Sequence, residues 1–221
     1  GQICKKYASI DSRINYIINK KNIGSGLNFL KVVELSMKEN AKYFFFARGD
    51  AFYSEKFIEK SVLSLEKSND VILAYAIPKW VNSKSKVLDR NDITYYNSKN
   101  SDILIRSALA ILNKPFQLYG IIRSKYVKIF FKDFKPFIGV DNVLIFFLSL
   151  NGSFDLIKDE NWYRRYNYKN ENYRDRMNRY RNILLEKKYS IRSMLPIIYQ
   201  FYKYINIIIC SDFSMLIKFK L

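Results

Sequence analysis

The chain has 221 residues, of which 49% are hydrophobic and 17% aromatic, enough apolar side chain for a packed core and too much for a disordered polymer. Its 38 Lys and Arg against 20 Asp and Glu give a net charge of +18, which favours nucleotide phosphates, anionic lipid headgroups or nucleic acid as partners, although Lys, Asn, Ile, Tyr and Phe richness of this kind also looks like the drift of an AT-rich genome. Histidine is absent, so acid–base work falls to carboxylates, Tyr or Lys, and Cys4 and Cys210 form neither a CxxC pair nor a disulfide framework, which fits a reducing cytosol.

In chain order, Ile14, Tyr16 and Ile18 alternate with polar residues and predict a short strand. The turn from Asn22 to Gly26 follows, with Gly24 where a positive φ or a close backbone approach is expected. Leu27, Leu30, Val33 and Met37 then fall on one face of a helix. Tyr43 to Phe46 are four aromatic residues in a row, read as a strand buried on both faces. They run into Arg48, Gly49 and Asp50, so a carboxylate sits just past a buried strand, where ligands bind in open α/β sheets. A covering helix from about Lys56 carries Ile58, Val62 and Leu65 on its apolar face. This alternation argues for a parallel sheet with crossover helices.

Val71 to Ile77 reads as a second buried strand ended by Pro78, and residues 79 to 101 as a polar loop or lid. A helix is expected over 103–112, then an extended segment over 116–122 in which Gly120 permits close approach of another group. Asp141 opens an apolar run that ends at Asn151-Gly152, a buried helix closed by a glycine cap. A carboxylate at that place is also what a simple helix cap requires, and only its combination with Asp50 raises its interest. Residues 154–157 form a short strand, and Trp162 to Tyr166 place Arg164 and Arg165 between aromatic residues. Beyond Asn167, Tyr173, Met177, Tyr180 and Leu184 repeat on one face while Arg174, Arg176, Arg179 and Arg181 spread over the rest, a basic amphipathic helix over 171–188. Residues 193–210 are apolar but interrupted by Pro196, Gln200, Lys203 and Asn206, too broken for a membrane span. Packing on the main domain, lying in a membrane interface and dimerising all remain open for this segment.

Over residues 3 to 167 the chain resembles the family 2 glycosyltransferases, the inverting enzymes of GT-A fold that take a sugar from a nucleotide-sugar donor. The likeness is carried by DSRINYIINKKNIGSGLNFLKVVEL, YFFFARGDAFYSEKFIEKSVLSLE, the Gly120-Ile121-Ile122-Arg123 segment, GVDNVLIFFLSLNGSFDLI and the terminal WYRRYN, in that order. The resemblance implies a mostly parallel, Rossmann-like sheet flanked by helices over residues 1–168, with a basic helical extension over 169–221. It also implies that the family's first strands precede Gly1. Asn22 and Gly24 would lie on the donor-binding face. Asp50, with Arg48 beside it, would hold the donor's ribose or a Mg²⁺ or Mn²⁺ ion bridging its phosphates. Asp141 would be the base that deprotonates the acceptor hydroxyl, and Arg164 and Arg165 would steady the diphosphate.

The implied partners are a nucleotide-sugar donor, a glycan or lipid-linked acceptor of envelope glycan synthesis, and the anionic inner face of the cytoplasmic membrane. Two departures keep a non-catalytic binding module open as the alternative: Asp50 lacks the second aspartate of the family's motif, and Asn167 stands where a histidine often follows. A nucleic-acid binder is the third reading, suggested by charge with interleaved aromatics over 162–204 but without a matching sequence motif.

Overall fold

The structure is a computed structural model and describes residues 1–89, 95–99, 101–166, 172, 174, 175, 178 and 195–221. The basic helix expected over 171–188 therefore lies almost wholly outside the described residues, as does much of the stretch behind the nucleic-acid reading.

Helix α1 (Gln2–Ile10) is followed by irregular backbone over 14–19. The strand expected there does not form. Among the described residues no ladder partner pairs with it, and Ile17 and Ile18 stay exposed, so alternation without a cross-strand neighbour is not enough. Helix α2 (Gly24–Lys38) begins at Gly24, whose φ is +75° and whose N–H donates to Asn22 Oδ1 at 2.8 Å. Val33 is fully buried on the predicted face of α2, and Leu30 and Met37 pack beside it.

The sheet has five strands in the order β1-β4-β3-β5-β2, where β1 is Tyr43–Phe45, β2 Ala51–Tyr53, β3 Val71–Val81, β4 Ile121–Arg123 and β5 Ser153–Arg165. The expected α/β class holds, but the sheet is mixed and not mostly parallel, because three of its four ladders are antiparallel. The long β3–β5 pair is parallel, while the short strands β1, β2 and β4 pair antiparallel.

Pro78 does not end β3. The strand passes through it to Val81, because the ladder with β5 shifts register between Ala76 and Ile77 and a proline is tolerated at such an irregularity. The same shift joins the two segments expected separately over 154–157 and 162–166 into one 13-residue strand, β5.

Helices cover both faces. Helix α3 (Phe57–Lys67) buries Phe57, Ser61, Ser64 and Leu65, so its inward face is turned from the one expected and Ile58 is exposed. On the other face α2, α4 (Ile103–Leu112), α5 (Ser124–Phe131) and α6 (Val140–Asn151) close over Ile72, Leu73, Ile122 and Phe154. Phe44 and Phe46 join this core while Phe45 packs on the side of Tyr53 and Phe57, so the aromatic run does face apolar groups on both sides.

A short 3-10 turn, Phe116–Tyr119, precedes β4. Gly120 after it is held so closely against β3 that a Cβ would lie 2.6 Å from the Ala74 carbonyl oxygen, the close approach the sequence suggested. Helix α6 does end at Gly152, but in extended backbone with φ 171°. The glycine is needed there because a Cβ would lie 2.5 Å from Ile72 Cγ2 and 2.6 Å from the Asp70 carbonyl oxygen.

At the C-terminus, α7 (Pro196–Ile209) starts with its proline in the first turn, where the missing N–H costs nothing. It packs on α6 through Tyr204, with Tyr199 against Phe137. Helix α8 (Met215–Lys220) folds back so that a groove of about 420 Å³ opens between Ile205, Ile209, Met215 and Phe219. Among the described residues no helix is long and apolar enough to cross a membrane.

Candidate donor and base site

After β1 the chain turns through Arg48, Gly49 and Asp50 into β2, and the antiparallel β2–β5 ladder sets Ala51 opposite Arg164. That register brings Arg164 to Arg48 and Asp50, more than a hundred positions earlier in the chain. The Asp50 carboxylate accepts from Arg48 through both oxygens, Nε to Oδ1 at 2.7 Å and Nη2 to Oδ2 at 2.8 Å. Arg164 Nε lies 3.6 Å from Oδ2.

Both guanidiniums are also fixed by aromatic neighbours. Arg48 lies 5.2 Å from the Tyr119 ring centre and donates from Nη1 to the Tyr119 hydroxyl at 2.8 Å, while Arg164 lies 5.0 Å from the Trp80 ring centre. Such contacts hold the planar cation in one orientation. Hydrogen bonding from Arg48 holds the Asp50 carboxyl below the usual carboxylate range, and the reciprocal bond raises the pKa of Arg48. Tyr53, on β2, has its hydroxyl buried without a hydrogen-bond partner among the described residues, and burial raises its pKa.

Of the other donor-side residues, Arg165 donates its backbone N–H to the Asp50 carbonyl oxygen at 3.0 Å. Its side chain is exposed, because successive residues of a strand point to opposite faces and Arg164 takes the inner one. Asn22 and Gly24 lie at the head of α2, where they line a cavity of about 350 Å³ with Asn19, Lys21 and Asn28. This cavity is separate from the contacts of Asp50.

The residues at Asp50 do not fit a divalent cation. Both carboxylate oxygens are already engaged by guanidinium, and two Arg against one Asp leave the cluster net positive. To be held there a divalent cation would have to displace Arg48 from both carboxylate oxygens and sit beside two guanidiniums that repel it. Among the described residues there is no group of three or more His, Cys, Asp or Glu side chains placed to hold a metal.

Asp141 has a different environment. Gly139 at the N-cap of α6 takes a left-handed backbone, φ +88°, and the turn it makes places Asp141 in the helix's first turn. The carboxylate accepts the Asn142 N–H at 3.0 Å. Protein crowds the carboxyl, and this burial raises its pKa against the lowering effect of the backbone bonds.

Helix α7 supplies neighbours on this side. A Cβ on Gly139 would lie 2.2 Å from Gln200 Oε1, Gln200 Nε2 donates to the Tyr204 hydroxyl at 2.5 Å, and the Asp141 charge contributes to raising the pKa of Tyr204. The Phe116–Tyr119 turn touches α6 on one side and delivers Tyr119 to Arg48 on the other.

The structure therefore assembles Arg48, Asp50 and Arg164, and sets Asp141, Arg165 and the Asn22–Gly24 turn at separate places. Tyr119, Trp80, Tyr53, Gln200 and Tyr204 escaped the sequence reading. Only Tyr119 carried a local signal, its position before the close-approach Gly120.

The fold has a solved counterpart. The chain is similar to S. aureus TarS 1-349, with a TM-score of 0.56 and 12% identity, over 98% of this chain and 54% of that one. TarS is a staphylococcal teichoic acid glycosyltransferase. This chain has a glycosyltransferase-like fold. It spans about half the length of the structure it matches. No protein-family model matches the chain, and no curated protein sequence does.

Proposed function

We propose that the chain is a glycosyltransferase of envelope glycan synthesis, with a GT-A-like domain over residues 1–168 and a basic helical extension over 169–221. The observation that carries this reading is the Arg48–Asp50–Arg164 cluster past strand β1, a positively charged group of fixed geometry in a glycosyltransferase-like fold. The donor is a nucleotide-diphosphate sugar, whose leaving group develops negative charge as the bond to the sugar breaks.

In this mechanism the Asp141 carboxylate takes the proton of the acceptor hydroxyl while that oxygen attacks the anomeric carbon. The bond from that carbon to the diphosphate breaks, and its electron pair leaves on the nucleoside diphosphate with inversion. The raised pKa of Asp141 matches the task, because a base that holds its proton more tightly than a free carboxylate accepts one more readily near neutral pH.

The acceptor is a glycan or a lipid-linked glycan at the inner face of the cytoplasmic membrane. Supporting this are the exposed Ile197, Phe201, Ile209 and Phe219 of α7 and α8 together with Lys218 and Lys220, an apolar face with cations of the kind that binds anionic lipid.

The test is a transfer assay over a panel of nucleotide sugars with Asp141→Asn. Expected are loss of turnover with donor affinity retained, and in the unsubstituted protein a rise of kcat/KM with pH whose midpoint lies above the ordinary carboxylate value of about 4. Unchanged turnover in the variant would remove Asp141 as the base. The second reading, a non-catalytic binding module, is favoured by the closure of Asp50 onto Arg48. It predicts donor binding without transfer to any acceptor.

A further inference from the structure

The cluster at Asp50 has unused capacity for an anion. Arg48 spends its Nε–H and one N–H on each terminal nitrogen on Asp50 and Tyr119. A guanidinium carries five N–H groups, so two on Arg48 remain without a partner among the described residues. The cluster is reachable: the side chains of Arg48, Asp50 and Arg164 are 29%, 35% and 18% exposed. On β2, which follows Asp50, the buried Tyr53 hydroxyl also lacks a hydrogen-bond partner among the described residues. Two oriented cations, one carboxylate between them and a neighbouring hydroxyl make a site for a doubly or triply charged oxyanion.

We propose that Arg48 and Arg164, held at a fixed spacing by Asp50, stand in for a divalent cation and bind the donor's diphosphate directly, so that donor binding and transfer proceed without metal. The proposal rests on the glycosyltransferase reading. Asp50 is a positioning residue in it: its carboxylate keeps two like charges side by side and turns the plane of Arg48, and it is not a metal ligand. When the bond from the anomeric carbon to the diphosphate breaks, the negative charge that collects on the phosphate oxygens is neutralised by guanidinium N–H groups already in place. No further reactant is needed.

The probe is inorganic pyrophosphate, titrated calorimetrically into the full chain once in EDTA and once in excess Mn²⁺. The expected result is equal affinity in the two buffers, within about twofold. Arg48→Gln should weaken binding by about tenfold or more, the effect of losing a charge-assisted contact, and Arg48→Lys should retain part of it by keeping the charge. Asp50→Asn separates the two designs by metal dependence. With guanidinium in the cation's role the variant binds pyrophosphate more weakly, because the spacing and plane of Arg48 are no longer held, but equally in EDTA and in Mn²⁺; at a metal site it abolishes Mn²⁺-dependent binding.

Circular dichroism of each variant confirms that the fold is kept. Binding that appears only with Mn²⁺ and vanishes in Asp50→Asn would overturn the proposal, as would no pyrophosphate binding in either buffer. A panel of nucleotide sugars titrated alongside tells the two failures apart: if one binds, the donor reading survives and only the role of Arg48 and Arg164 falls, and if none binds both fall.

Discussion

Asp141 carries a charge that its surroundings penalise. Burial raises its pKa, so the protonated form is favoured in the folded state. The contribution of this group to stability is complete below the unfolded pKa of about 4 and is lost as pH rises through the folded value. Replacing the carboxyl by an amide removes the penalty. Asp141→Asn should therefore raise Tm at pH 7.5 and leave it unchanged at a pH well below 4. Thermal scans of both proteins across that range check it, and an equal Tm at pH 7.5 would contradict the burial.

The same residue shows what sequence carries and what it does not. Its place at the start of an apolar helix was legible from the run that follows it. Helix α7, some sixty positions away, sets Gln200 against Gly139 at the turn before Asp141, and no local pattern announces that contact. Arg48 and Asp50 lie two positions apart in the sequence, yet their bidentate pairing depends on a turn that leads into the ladder with β5.

Element boundaries were readable where one helical face met the core, as for α2 and α4. They failed where pairing decided the outcome. The strand expected around Ile14 to Ile18 found no partner, and Pro78 lay inside β3 because an irregularity in the parallel ladder absorbs it. The short strand β2 and helix α5 have too few residues for a periodic signal.

Glycine gives a sharper test at this scale. At Gly152 a methyl group would press on Ile72 and on the Asp70 backbone, where β3 and β5 begin side by side. Gly152→Ala should cost about 1–3 kcal/mol, the usual penalty of overpacking. A urea titration should show a lower midpoint with an unchanged slope. At Gly49 a Cβ would meet nothing within 4 Å, so Gly49→Ala should shift stability by no more than about 0.5 kcal/mol.

For the whole molecule, +18 charges and an uncovered apolar face on α7 and α8 act together. Electrostatic attraction brings a basic protein to an anionic bilayer, and apolar side chains then hold it there. Vesicles containing phosphatidylglycerol should sediment the protein, and vesicles of phosphatidylcholine alone should not. Salt should weaken binding, and Phe201→Ser together with Phe219→Ser should weaken it further without altering the circular dichroism. Equal binding to both vesicle types would argue against a lipid role for this face.

The seat of Gln200 on Gly139 gives α7 a second role. Helix α7 lies against the very turn that presents Asp141, so it helps to keep water from that carboxyl. Whatever lifts the helix away hydrates the carboxyl and lowers its proton affinity, and by reciprocity a proton on Asp141 tightens the helix's hold. Were the outer side of α7 to meet lipid, that contact and the proton affinity of Asp141 would be two readings of a single docking equilibrium.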